Sequence, residues 1–424
     1  MSYCKNNKEV HFNPWTWAEA YMTTVALEDG TISFNIWKSM GTDMITSISY
    51  STDDGETWTT TANQDNKSEN LTIDVNVNTG DTILWKGIAA QTGYNDSDDY
   101  GDIVGSFFSS TCEFDVKGNI MSLLYGDNFK GQTTINENYA FSWLFSDYDE
   151  EKTCSIVNAK DLSLPATTLA EGCYGGMFGN CTSLVTAPSI LPATTLAEGC
   201  YDGMFFGCTS LVTVPVLPAT TLAPGCYSCM FVGCTSLVTA PELPATTLGN
   251  YCYNQMFKGC TSLVTAPELP ATTLVETCYD GMFVGCTSLV TAPELPATTL
   301  ATGCYGSMFV GCTSLVTAPS ILPATTLTRF CYQEMFKNCT SLVTAPVLPA
   351  LTLATDCYQY MFFGCTSLNY IKAMFTTIPS TTDTREWVNG VSATGTFVKN
   401  SAAQWNVSGV NGVPTGWTVQ TASE

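Results

Sequence analysis

Positive charge is scarce in this chain: 424 residues carry 15 lysines and arginines against 38 aspartates and glutamates, a formal net charge of −23. Such a surface repels a polyanion, which excludes nucleic acid as a partner. Histidine is scarcer still, with His11 alone, so a Ser-His-Asp triad or a multi-histidine metal site has one imidazole to draw on. No apolar run approaches the ~18 residues of a membrane-spanning helix, and no membrane insertion is expected. The opening Met1-Ser2-Tyr3-Cys4-Lys5-Asn6 has no apolar signal core. It predicts a chain made and kept in a reducing cytoplasm, unless a leader has been trimmed. What is present is apolar and aromatic: 45% and 12% of residues, enough to bury a sizeable core in two or three domains. There are also 20 cysteines. In a small secreted domain they would read as a disulfide framework, so their pattern has to decide.

That pattern is a repeat. Cys-Tyr pairs begin at Cys173, Cys200, Cys226, Cys252, Cys278, Cys304, Cys331 and Cys357, in steps of 26 or 27, and a second cysteine follows each by eight, from Cys181 to Cys365. Sixteen cysteines therefore belong to it. The longer steps arise where Ala-Pro-Ser-Ile-Leu-Pro (187–192 and 318–323) replaces Ala-Pro-Glu-Leu-Pro, which marks that corner as a loop. In Cys-Tyr-x-x-Met-Phe-x-x-Cys the fixed residues fall at i, i+1, i+4, i+5 and i+8, an arc of about 140° on a helical wheel. This predicts a short helix with one buried face, ended by the Gly or Asn that precedes every second cysteine. Thr-Ser-Leu-Val-Thr-Ala-Pro and Leu-Pro-Ala-Thr-Thr-Leu predict a short strand, a turn and a second extended run. A unit of this size cannot close a core alone. Stacked in parallel, eight would make a rod of roughly 40 Å with ladders of like residues inside.

The frame Met-Phe-x-Gly-Cys-Thr-Ser-Leu resembles the BspA-like leucine-rich repeats of bacterial surface proteins. The longer phrase, Leu-Pro-Ala-Thr-Thr-Leu with Cys-Tyr, is similar to the version in gut Bacteroides and their bacteriophages. The resemblance covers about half the chain and implies a mixed α/β architecture: a right-handed leucine-rich-repeat solenoid of eight 26–27-residue coils plus caps. It also implies adhesion through the solenoid surface.

The expected organisation is a β-sandwich domain at 1–117, an N-terminal capping coil at 118–164, the repeats at 165–370 and a β C-terminal cap at 371–424. Residues 1–117 alternate with a period of two, as in Leu71-Thr-Ile-Asp-Val-Asn-Val77, and predict an antiparallel sandwich of about seven strands forming a separate domain. In the capping coil, Ala140-Phe141-Ser142-Trp143-Leu144-Phe145 aligns with Cys-Tyr-x-x-Met-Phe.

Candidate chemistry is sparse. Ser51-Thr-Asp53-Asp-Gly55-Glu-Thr57-Trp58 fits the Asp-box of sialidase-like propellers, where it shapes a hairpin, and the arginine cluster that would hold a sialic acid carboxylate is missing. Asp96, Asp98 and Asp102 form a weak calcium candidate, with Phe107 where an EF-hand places its bidentate Glu. Cysteines eight apart on a helix lie about 12 Å apart, too far for a disulfide. Small buried thiols fit better than disulfides or a metal site. Stacked variable positions make a strip containing Tyr251, Arg329, Phe330 and Tyr360, the candidate ligand contacts.

No catalytic residue and no cofactor is expected. The reading is a non-enzymatic adhesion or recognition protein, a bacteriophage virion component such as a fibre or capsid decoration. Its expected partners are a host-surface or mucosal protein or glycan and other virion proteins, with a homo-oligomer possible. The alternatives are an exported bacterial surface adhesin and a glycan-active enzyme built on the N-terminal domain.

Overall fold

The computed structural model describes residues 4–5, 8–9, 18–37, 47–62, 71–88, 105–146, 154–378 and 380–422. Two short strands, β1 (Cys4–Lys5) and β2 (Lys8–Glu9), pair with each other. Two sheets follow. One has the order β11-β10-β3-β8-β5-β6, built from β3 (Met22–Ala26), β5 (Ser47–Ser51), β6 (Thr59–Ala62), β8 (Thr82–Ile88), β10 (Phe114–Asn119) and β11 (Ile156–Ser163). The other has the order β7-β4-β9, from β4 (Gly30–Trp37), β7 (Leu71–Val77) and β9 (Gly105–Ser110). Alternation sets which face is inside: Ile73, Val75 and Val77 of β7 are buried while Thr72, Asp74 and Asn76 face out. The sheets meet through aromatic rings, Phe34 of β4 lying 6.1 Å from Trp85 of β8, and Phe108 of β9 5.2 Å from the same tryptophan.

All pairings in these sheets are antiparallel except one, between β10 and β11. That parallel pair joins the first sheet to the repeats. Asn158 of β11 bridges Thr186 and Thr186 bridges Thr213; a second run of parallel bridges goes from Thr239 through Thr265, Thr291, Thr317 and Thr344 to Tyr370. Tyr370 opens β12 (Tyr370–Ala373), which pairs in parallel with β13 (Thr396–Lys399), and β13 with β14 (Thr418–Thr421). Within the repeats each rung of this ladder is a single residue; proline and the corner that follows leave no room for a longer strand.

The predicted repeat helix is absent, and with it the α part of a mixed α/β fold. The one α-helix among the described residues is α1 (Ser122–Tyr125). Residues 172–181 instead form a run of turns with alternating hydrogen bonds. The amides of Gly175, Met177, Gly179 and Cys181 donate to the carbonyl three residues back, while those of Tyr174, Gly176, Phe178 and Asn180 donate to Cys200, Asp202, Met204 and Phe206 of the next unit. Every fourth residue, Gly172, Gly176 and Asn180, has φ near +57 to +59. A right-handed helix cannot tolerate such a residue once per turn. The same four-residue step puts Cys173-Tyr174, Met177-Phe178 and Cys181 on the inside, so the buried spacing matches a helix although the backbone does not.

Stacking turns each fixed residue into a column. Tyr174, Tyr201 and Tyr227 lie 5.5 and 5.7 Å apart by ring centroid, continuing to Tyr358, and Phe178, Phe205 and Phe231 run likewise to Phe362. Such ring pairs contribute roughly 0.5–1.5 kcal/mol beyond area burial. The columns extend beyond the repeat: Phe141 stacks on Tyr174, Phe145 on Phe178, and Phe108 of β9 on Phe145. At the other end the turn run continues through residues 383–389, where the carbonyls of Asp383, Arg385, Trp387 and Asn389 accept from the amides of Tyr358, Tyr360, Phe362 and Gly364, and Trp387 closes both columns.

Candidate recognition surface

The sixteen repeat cysteines form no disulfide and are buried. Each second cysteine donates its S–H to the carbonyl of a phenylalanine in the preceding unit, as Cys208 does to Phe178 at 3.0 Å and Cys234 to Phe205 at 3.1 Å. Burial pushes the Cys200, Cys260 and Cys312 thiols up to about 12. They are protonated at neutral pH and unavailable as nucleophiles or metal ligands.

The Asp-box forms the β5–β6 hairpin. Asp53 accepts from the Thr57 hydroxyl at 2.5 Å, the Thr57 amide at 2.9 Å and the Ser51 hydroxyl at 2.7 Å. These donors, the Thr57 hydroxyl first, hold its carboxyl down at about 2. Trp58 packs edge-on against Tyr21 at 5.0 Å, with the Lys86 ammonium 4.0 Å over its ring. Every polar atom of Asp53 is thereby committed to the turn. Asp96, Asp98, Asp102 and His11 lie outside the described residues.

The predicted contact strip lies along the run of turns, at a position the sequence did not disclose. Tyr251, Phe330 and Tyr360 have φ of +58, +59 and +55. Each stands where other coils place glycine: Gly172, Gly199, Gly225 and Gly303 at the first left-handed position, Gly176, Gly203 and Gly281 at the second. A bulky side chain there costs about 1–2 kcal/mol. Tyr251 is 46% exposed, and Phe330 and Tyr360 are half-buried. Tyr139 and Trp143, upstream, share this conformation, and their rings lean onto the next coil; a Cβ on Gly176 would sit 2.6 Å from the Trp143 ring.

The structure brings two of the four candidates, Arg329 and Phe330, into contact, and places Tyr360 in a second group. Arg329 lies with its guanidinium 4.2 Å over the Phe330 ring. In the next coil Tyr360 meets Phe363 edge-on at 6.0 Å, and the Lys337 ammonium lies 5.4 Å from Tyr360 and 5.9 Å from Phe363 while pairing with Glu334 at 3.1 Å. Tyr251 stands three coils before Phe330, about 15 Å along the stack at strand spacing. Phe363 and Lys337 were missed by sequence reasoning, although both occupy variable positions of the turn run. Lys258, Arg329 and Lys337, the cations of residues 165–370, all lie on this run. Toward its beginning it carries Glu171, Glu198 and Asp202 instead. Burial raises the Asp280 carboxyl to about 6, opposed by the amide of Asn254, which donates to it at 3.3 Å.

Two concavities lie elsewhere. One, of about 450 Å³, sits at the proline corner between Glu268 and Glu294. The other, of about 300 Å³, is bounded by Lys399, Trp405 and Trp417. Both indole N–H groups there are committed, to Phe375 and Ser392 carbonyls.

Two solved structures resemble the chain. A leucine rich cell surface protein from Faecalibacterium prausnitzii A2-165 is 15% identical, with a TM-score of 0.34 over 67% of this chain and 82% of its own. A leucine-rich repeat protein from Bacteroides ovatus ATCC 8483 is 15% identical, with a TM-score of 0.21 over 78% of this chain and 98% of its own. Neither likeness carries an argument about what this chain binds. No family model and no curated protein matches.

Proposed function

We propose that this chain is a non-enzymatic recognition protein that binds a protein or glycan along its run of turns, through Tyr251, Arg329, Phe330 and Tyr360. The observation that carries this is aromatic side chains held in left-handed backbone at positions where several other coils use glycine. Coils with glycine stack as well as coils without, so the rings are not needed for stacking, and strain retained without a structural return points to contact. Aromatic rings with an adjacent guanidinium are the groups that dominate recognition surfaces. The protonated thiols and the fully committed Asp53 supply no reactive group.

The finer reading is a BspA-like, right-handed solenoid of eight coils carried by a bacteriophage particle, supported by the resemblance of the Met-Phe-x-Gly-Cys-Thr-Ser-Leu frame; display as a bacterial surface adhesin is the alternative. An array of mucin O-glycans, bacterial capsular polysaccharides and mucosal glycoproteins, probed with the intact chain, tests the binding function. Saturable binding to one class is expected, and an array without any would count against it. Mass spectrometry of purified particles against cell-surface fractions separates the two settings.

A further inference from the structure

The concavity of about 300 Å³ at the C-terminal end of the stack lies where Lys399 of β13 meets the segment 405–419. Trp405 and Trp417 line it and are fixed by the fold itself. The Trp405 indole donates to the Phe375 carbonyl at 2.9 Å and stacks on the Phe375 ring at 5.0 Å, and the Trp417 indole donates to the Ser392 carbonyl at 2.7 Å. Gly395 admits the second ring, since a Cβ there would stand 2.8 Å from it. Walls held in this way need little further ordering when a ligand binds. The polar groups of the lining are uncommitted. Asn406, Ser408 and Thr415 are exposed, and among the described residues their side chains make no hydrogen bond. The Lys399 ammonium lies 5.4 Å from the Trp405 ring, and the ion pairs among the described residues, Lys86–Asp127 and Lys337–Glu334, leave it without a carboxylate. It is the one charged group in this lining, in a chain with 38 acidic residues against 15 basic.

We propose that this concavity binds one carboxylate-bearing sugar of a glycan, a sialic or a uronic acid. Its volume stands at the lower end of ligand pockets and suits a single ring. A pyranose offers an apolar C–H face to the indole walls and hydroxyls to the Asn406 amide and the Ser408 and Thr415 hydroxyls, whereas an acidic peptide side chain would leave those three groups unmatched. The lone lysine selects the acid among sugars. It also limits the ligand to an isolated carboxylate, because a net charge of −23 repels a polyanion.

The pocket shares no residue with the run of turns, so it and the proposed binding function stand or fall apart. Saturation-transfer NMR on the full chain, titrated separately with N-acetylneuraminic acid, glucuronic acid and galactose, tests it. At least one acid is expected to bind with a dissociation constant on the order of 1 mM. Galactose should bind about fivefold more weakly, the upper worth of an exposed ion pair. The acid that binds better names the sugar. Lys399→Gln should erase the preference and Asn406→Ala should weaken all binding, both with an unchanged circular dichroism spectrum, while Arg329→Ala should change nothing. No binding of either acid at roughly 20 mM overturns the proposal. So does galactose bound as tightly as the acids, a preference that survives Lys399→Gln, or affinities unmoved by Asn406→Ala. Binding lost in Arg329→Ala would place the sugar on the run of turns instead, and a triglutamate peptide bound as tightly as the better acid would give the pocket to acidic peptides.

Discussion

Gly176 and Gly199 share a φ of +57 and differ in what a methyl group would meet: the Trp143 ring at 2.6 Å for Gly176, open space for Gly199. Alanine at Gly199 is charged only for the left-handed backbone, about 1–2 kcal/mol. Lower freedom of the unfolded chain returns about 0.4–1 kcal/mol of it. A net loss of about 1 kcal/mol is expected there. Alanine at Gly176 bears the same cost plus overpacking against a ring that itself sits on Gly179, typically 1–3 kcal/mol. The total is about 2–4 kcal/mol. In a Trp143→Ala background Gly176→Ala should fall to the Gly199 value, leaving a coupling of about 1–3 kcal/mol. Urea unfolding followed by circular dichroism and by tryptophan fluorescence measures all four variants. Stacked units can unfold piecemeal, and the two glycines lie in adjacent coils, so both report on the same end of the stack. Equal costs at the two glycines, or no relief from Trp143→Ala, would refute the leaning of left-handed side chains onto the next coil.

Other outcomes follow from the interior. The hydroxyls of Tyr201, Tyr227 and Tyr305 are buried without a partner, so Tyr227→Phe should leave stability unchanged or raise it by about 1 kcal/mol; a fall of that size on urea unfolding would show that the hydroxyl is bonded. Asp280 titrates near 6 in the fold, above the ordinary carboxylate value of about 3.9. Its ionisation therefore penalises the fold progressively between about pH 4 and 6 and fully above that. Asp280→Asn should gain about 1 kcal/mol at pH 8, after allowance for solvent screening, and flatten the slope between about pH 4 and 6; an unchanged slope would count against it. In a Cys4→Ser background, native protein should expose to a thiol reagent only Cys229, the one described cysteine that is not fully buried, and denaturation should release the rest; many fast native thiols would contradict the ladder.

The stacking order was legible because each buried type recurs every 26 or 27 residues, and Phe141 and Phe145 were placed correctly by the same frame. The backbone of the turns was not. Spacings of i, i+4, i+5 and i+8 suit both a helix and a chain of four-residue turns, and the discriminating signal was glycine or asparagine at three positions four apart, as in Gly199, Gly203 and Gly207. Tyr251 and Phe330 hid that signal by standing where glycine is easiest. The parallel β10–β11 pair escaped because residues 120–155 separate strands whose alternation does not encode direction. The turns around Trp387 escaped because tryptophan and threonine replace the Met-Phe and Tyr of the frame.

The central claim is that strained aromatic residues are kept for contact. Tyr251→Gly/Phe330→Gly/Tyr360→Gly puts at each site the residue that several other coils use there, and each change should alter stability by less than about 1 kcal/mol, since backbone relief offsets lost burial. Binding of this variant, measured beside the unmodified chain on the same glycan and glycoprotein array, is the direct test. Loss of binding by a folded variant is the predicted result; binding at undiminished strength would contradict the account.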